Sequence, residues 1–222
     1  MFLYYITDRR QLSANHDESV RLLLERIHSA AVAGVDRIQL REKDLSAREL
    51  VELGTRAAAT VSEANASQRS QQPTRLLINS RLDVAIACGA DGVHLRSDDI
   101  FASEARPVFI EAGIAAAVIG VSCHSIQEIE LAEAHGADFA VVGPVFGKAG
   151  EPPLGIDEFE RTCRQRRAAK PAMPVLALGG IDLSNAEECI KAGAAGVAGI
   201  RLFQEGNISE TVSQLRNLTP EN

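Results

Sequence analysis

With 222 residues and 45% hydrophobic side chains, the chain is long enough for one large domain and apolar enough to bury a core, which excludes a disordered polypeptide. A net charge of −7 with a pI near 5.3 excludes a general nucleic-acid surface, and any phosphate must be held by a local positive site against the mean field. No apolar run reaches membrane-spanning length, so the expected partner is a small molecule rather than a membrane or a nucleic acid; self-association is left open.

The chain opens with Met1–Asp8, which meets an acidic residue too soon for a signal peptide and reads as a first strand, Phe2–Thr7. A helix over Ser19–Ala33 lines Val20, Leu23, Leu24, Ile27, Ala30 and Ala31 along one face. The next strand, Arg37–Arg41, alternates with period two. Ile38 and Leu40 point one way, while Gln39, Arg41 and, just beyond, Lys43 point the other. Alone, that polar row suits either the solvated face of an edge strand or an anion site in the mouth of a closed barrel. A helix over Ser46–Ala64 begins with a capping box from Ser46 to Glu49, and the polar stretch 62–74 either extends it or loops away from any site. Six further strands are predicted at Arg75–Asn79, Gly92–His94, Ala117–Val121, Phe139–Val142, Val175–Leu178 and Val197–Ile200. They alternate with helices at Leu82–Cys88, Ala102–Ala112, Ile126–His135, Asp157–Ala168, Ser184–Ala192 and Ile208–Leu218. Ser125 is expected to cap its helix through Glu128, and Ser184 through Glu187.

One phrase recurs: Ala33-Gly34-Val35-Asp36, Cys88-Gly89-Ala90-Asp91, His135-Gly136-Ala137-Asp138 and Ala192-Gly193-Ala194-Ala195, each followed by an apolar strand. Each reads as a helix end with a glycine in the left-handed cap, and successive copies are about two βα units apart. Eight βα pairs make a (β/α)8 TIM barrel over 1–222 as a single domain; a doubly wound sheet would want a G-x-G-x-x-G turn after an early strand, and none is present. A barrel has no edge, so Gln39, Arg41 and Lys43 are expected at its mouth, facing an anionic ligand. The four cysteines, Cys88, Cys123, Cys163 and Cys189, form no Cys-x-x-Cys and read as structural thiols of a cytoplasmic protein.

Other polar residues gather at the predicted strand ends. Asn79 is either a rim ligand or a turn asparagine. Asp98 and Asp99 either hold Mg²⁺ or cap the helix that follows. His124, after Ser122, is either an acid/base or structural. The loop Gly147–Gly155 is rich in Gly and Pro and carries the cation Lys148, as lids and binding loops do. Gly179 and Gly180, after the seventh strand, and Arg201, after the eighth, lie where barrels hold phosphate.

In this order the motifs resemble those of the thiamine-phosphate synthase and TenI family, nearly end to end: Tyr5-Ile6-Thr7-Asp8-Arg9, Gln39-Leu40-Arg41-Glu42-Lys43, Ile78-Asn79-x-Arg81, Ala90-Asp91-Gly92-Val93-His94-Leu95, Gly120-Val121-Ser122-x-His124-Ser125, Gly143-Pro144-Val145-Phe146 and Ala177-Leu178-Gly179-Gly180-Ile181. For the synthases the resemblance implies the same barrel and a reaction in which hydroxymethylpyrimidine pyrophosphate loses pyrophosphate and a hydroxyethylthiazole phosphate attacks the pyrimidine cation. Gln39, Arg41, Lys43 and Asn79 would hold the pyrophosphate, Asp99 its Mg²⁺, and Gly180 the thiazole phosphate. The chain departs from the synthase pattern at three places. Ser80 stands where synthases carry a second metal-binding Asp. Gly147-Lys148-Ala149-Gly150-Glu151 replaces a Pro-Thr-x-Thr-Lys loop. Arg201 replaces a phosphate-binding Ser. These departures favour the TenI branch, a thiazole tautomerase that needs no metal, with His124 moving the proton and Gly179, Gly180 and Arg201 holding the phosphate. Thiamine-phosphate synthase is the alternative reading, and a non-catalytic phosphate-binding barrel is a third.

Overall fold

Eight short strands pair in parallel, each with the next in sequence, and the last closes on the first. In the computed structural model, which describes residues 1–67, 72–147, 152–166 and 172–218, the strands are β1 Phe2–Ile6, β2 Arg37–Leu40, β3 Arg75–Asn79, β4 Gly92–Leu95, β5 Val118–Cys123, β6 Phe139–Val142, β7 Val175–Leu178 and β8 Gly196–Gly199. The helices between and after them are α1 His16–Ala33, α2 Ala47–Ser67, α3 Leu82–Ala87, α4 Ala102–Glu111, α5 Ile126–Ala134, α6 Ile156–Arg166, α7 Ala186–Lys191, α8 Arg201–Gln204 and α9 Ile208–Arg216. This is the (β/α)8 barrel expected from the sequence. Two pieces were not: a 3-10 turn at Arg9–Gln11 and the one-turn helix α8, both too short to carry a period.

Alternation along the strands sorts the side chains into two cores. Outward residues such as Leu3, Ile38, Leu40, Val93 and Val197 pack beneath the helices. Inward residues Tyr4, Ile6, Leu77, Phe139, Val141, Leu176 and Ala198 fill the barrel. The Phe139 ring meets Phe2 and Tyr4 edge-on, with centroids 5.4 and 5.1 Å apart, which plugs the lower barrel.

The recurring phrase has a defined task at the bottom of the barrel. Its glycines Gly34, Gly89, Gly136 and Gly193 take left-handed φ values of 86°, 70°, 75° and 104°, ending each helix as expected. Its aspartates then bind the previous strand reciprocally. The Asp91 N–H donates to the Leu76 carbonyl at 2.8 Å, and the Asp91 carboxylate accepts from the Leu76 N–H at 2.8 Å. Asp36 does the same with Leu3, and Asp138 with Ile119. Arg216, Arg75 and Arg106 pair with Asp36, Asp91 and Asp138. The fourth copy has Ala195, which keeps only the backbone bond, to Val175.

Helix starts follow local chemistry with one correction. Ser46 and Glu49 bond reciprocally, and Ser125 accepts from the Glu128 N–H at 3.2 Å. Ser184 does not cap α7. Asn185 holds that position, and Asp182 gathers the turn by accepting from both the N–H and the hydroxyl of Ser184. All four cysteines are free and buried, and burial pushes the Cys189 thiol up to about 12. Among the described residues no helix is long and apolar enough to cross a membrane.

Candidate active site

The carboxyl ends of the strands form a mouth with two unlike halves. Ile6, Leu178 and Ile200, from β1 and the β7 and β8 ends, belong to the apolar interior. On the other side, from β2 to β5, alternation brings Gln39, Arg41, Asn79, His94 and Ser122 inward. Gln39 is 2% exposed, and its amide donates to the Tyr4 hydroxyl at 2.9 Å. Arg41 follows two residues on. Its guanidinium is half-buried, and that burial lowers its pKa from the ordinary value. Its positive charge disfavours a second proton on the buried His94. Lys43 lies beyond the strand end and is exposed. Asn79 is half-buried and in register with His94 across the β3–β4 pair.

A buried clamp sets the β2 end. Thr7 Oγ1 donates to Glu42 at 2.6 Å and accepts from the Arg41 N–H at 3.0 Å. Glu42 also accepts from the N–H of Arg9 and, at 3.0 Å, from its guanidinium, which in turn forks onto Asp44. Arg9 and Glu42 are each 4% exposed. Burial pushes the Glu42 carboxyl upward against these donors, whereas the Arg9 bond holds Asp44 down at about 2. The sequence reading passed over Thr7, Arg9 and Glu42, since their pairing joins segments more than 30 residues apart. Tyr4 and His94 were missed too, because each sits in an apolar strand and reads as core.

His124 is exposed, and its Nδ1 lies 3.0 Å from the Gly143 carbonyl. A carbonyl only accepts, so Nδ1 carries the proton and Nε2 is left for exchange. Gly179 and Gly180 have left-handed φ values of 97° and 67°, and their glycine character has a packing cause. A Cβ on Gly179 would come within 2.5 Å of Pro144, and one on Gly180 within 2.9 Å of the Gly147 carbonyl. The pair thus lets the turn after β7 lie against the segment Gly143–Gly147, and the Gly143–Pro144 peptide is cis. Arg201 is exposed at the start of α8, and its charge is felt by Asp182 in the β7–α7 turn. Lys148 lies outside the described residues.

The carboxylates expected to hold Mg²⁺ are otherwise engaged. Asp99 accepts from the Arg96 N–H at 2.8 Å and faces the Arg96 guanidinium at 3.4 Å, while Asp98 pairs with the same guanidinium at 3.1 Å. Neither caps α4: Phe101 holds the N-cap position, and its N–H donates to Glu104 at 2.8 Å. Ser80 has φ 57° and a buried hydroxyl with no partner, an oxygen without charge. Among the described residues no three His, Cys, Asp or Glu side chains converge as a metal site. The residues therefore do not fit a divalent ion held by the protein alone.

Comparison with known proteins agrees with this geometry. Residues 3–203 match the family model described as thiamine monophosphate synthase. A Geobacter sulfurreducens protein named "Putative thiamine-phosphate synthase" is 43% identical over 88% of this chain and 83% of its own length. The thiamine-phosphate synthase of Roseiflexus castenholzii is 35% identical over 88% of this chain and 78% of its own. The structure of thiamine phosphate pyrophosphorylase from Pyrococcus furiosus superposes with a TM-score of 0.76 at 28% identity, covering 98% of this chain and 94% of that one. None of these three is named a tautomerase.

Proposed function

Because the chain belongs to the thiamine-phosphate synthase and TenI family, we propose that it is itself a thiamine-phosphate synthase, joining hydroxymethylpyrimidine pyrophosphate to hydroxyethylthiazole phosphate. This reverses the order of the two readings drawn from the sequence. The observation that supports it is the Arg41 guanidinium, partly withdrawn from water at the end of β2, two residues beyond the buried Gln39. A tautomerase would use the same cation only to face its substrate's carboxylate, since it has no leaving group to stabilise. In the synthase reaction the bond from the pyrimidine methylene carbon to pyrophosphate breaks, and its electron pair leaves on pyrophosphate. The thiazole nitrogen supplies the pair for the new C–N bond. Negative charge grows on the leaving group, so a preorganised cation stabilises the transition state more than the ground state. Arg41 and Lys43 supply that charge, Asn79 and Gln39 orient the leaving group, and the apolar half of the mouth takes the rings. The turn Gly179–Gly180 and Arg201 receive the thiazole phosphate, with Ser122 on the rim between.

The second reading, tautomerase, rests on His124, whose Nδ1 is tied to the Gly143 carbonyl so that Nε2 can shuttle a proton. One pair of assays separates them. Purified protein given both synthase substrates with Mg²⁺ should form thiamine phosphate and pyrophosphate, and Arg41→Ala should raise the Kd for pyrophosphate at least about tenfold. Aromatisation of the non-aromatic thiazole tautomer, with no thiamine phosphate formed, would overturn the synthase reading in favour of the tautomerase.

A further inference from the structure

We propose that Tyr4 is a positioning residue that fixes the direction of a hydrogen-bond chain through the barrel, so that Ser122 accepts from His94 and keeps its own proton for a bound ligand. The chain runs Gln39, Tyr4, His94, Ser122, across four strands. The Gln39 amide lies 2.9 Å from the Tyr4 hydroxyl. That hydroxyl lies 3.0 Å from His94 Nδ1, and His94 Nε2 lies 2.9 Å from Ser122 Oγ. Gln39, Tyr4 and His94 are 2%, 0% and 2% exposed, so the two links between them lie out of reach of bulk water, while the last reaches the half-buried Ser122. Gly120 makes the arrangement sterically available, because a Cβ there would press within 2.8 Å of His94 Nδ1.

The direction follows from counting protons. A neutral imidazole has one donor and one acceptor nitrogen, and a tyrosine hydroxyl has one proton. The Tyr4 oxygen accepts from Gln39, so its own proton has a single acceptor within reach, His94 Nδ1. If Nδ1 carried the proton instead, the tyrosine proton would be buried without a partner, which costs about 1–3 kcal/mol. The Gln39 amide presents its nitrogen to the Tyr4 hydroxyl, so its oxygen does not take the tyrosine proton. Nε2–H then donates to Ser122 Oγ. Among the described residues the Ser122 hydroxyl has no other partner, so its proton is directed to the mouth. His94 stays neutral throughout, since burial and the Arg41 charge hold it down at about 3. None of the four residues changes charge. The chain therefore presents a hydrogen-bond donor to the ligand without adding charge to the mouth.

The inference does not depend on which reaction the barrel performs, and its test uses the free protein. Long-range ¹H–¹⁵N correlations of histidine-labelled protein between pH 5 and pH 8 should show His94 as the neutral Nε2–H tautomer. Tyr4→Phe, which keeps the ring and removes only the hydroxyl, should shift that signature toward Nδ1–H, a change that a purely space-filling tyrosine would not produce. An Nδ1–H tautomer or an imidazolium in the wild-type protein would overturn the proposal. So would an unchanged His94 spectrum in folded Tyr4→Phe. Should that variant fail to fold, the wild-type tautomer alone decides.

Discussion

A single hydroxyl, that of Thr7, ties together the ends of two strands. It donates to Glu42 and accepts from the Arg41 N–H, so it fixes both the buried carboxylate below and the cation above. Thr7→Val keeps the shape and removes both bonds, leaving the Arg41 N–H unsatisfied and Glu42 Oε1 with only the longer bond from the Arg9 N–H, at 3.3 Å. The expected loss is about 1–3 kcal/mol in urea unfolding, with weaker pyrophosphate binding because Arg41 loses its anchor. Unchanged affinity at reduced stability would mean that the β2 backbone alone aims Arg41. At this scale the sequence is legible where period two assigns a face: Gln39 turns inward to Tyr4, and Asn79 lies in register with the inward His94. It is silent where a polar atom hides in an apolar strand. Tyr4 and His94 differ from core residues only by the partners they find across the barrel, and those partners are not local. Asp98 and Asp99 are ambiguous for the opposite reason. Adjacent carboxylates resemble metal ligands, but the chain places Arg96 just before them, and a local ion pair claims both.

The repeated glycine phrase is the element-scale counterpart. Its recurrence is legible as a helix stop, and φ at all four glycines bears that out. What the aspartate does is not, because its acceptor role is exercised on a strand some 15 to 33 residues earlier. Three odd strands, β1, β3 and β5, are each gripped at their start by the residue introducing the even strand beside them. This pins register, which matters because a one-residue slip would send every inward side chain outward. The grip predicts a pattern of stability. Asp91→Ala should lower unfolding free energy by about 1–3 kcal/mol, since the Leu76 N–H and the Arg75 guanidinium both lose their acceptor. Asp36→Ala should cost a similar amount. The double variant should be close to additive, because the two aspartates hold different strand pairs. A double-variant melt far from the sum would show that the barrel closes through a shared network rather than pair by pair.

At the scale of the whole molecule, closure brings β1 against β8 and lets four strands share one buried polar chain, whose histidine has a pH signature. His94 is held at about 3 in the folded protein, against about 6.5 when exposed in the unfolded chain. Between those values the unfolded state binds the extra proton, so stability rises with pH. The contribution is fully present above about pH 6.5 and is lost progressively as pH falls toward 3, at no more than about 1.4 kcal/mol per pH unit and about 5 kcal/mol in all. A domain's whole stability is about 5–15 kcal/mol, so this one group can decide where acid unfolding begins. Two carboxylates act alongside it with different signs. Asp44, held at about 2, loses its contribution only below about pH 4. Glu42, pushed up by burial, makes the folded state the stronger proton binder and so opposes the histidine as pH falls. Comparing wild type with His94→Gln cancels both, because neither carboxylate touches residue 94. Glutamine can also keep the chain, accepting from Tyr4 and donating to Ser122. Urea unfolding at intervals from pH 7.5 to 4.5 should show the wild-type free energy falling with a slope approaching one proton per molecule, and His94→Gln falling by clearly less. Parallel lines for the two proteins would mean that His94 titrates alike in folded and unfolded chains, and the neutral buried histidine would have to be abandoned.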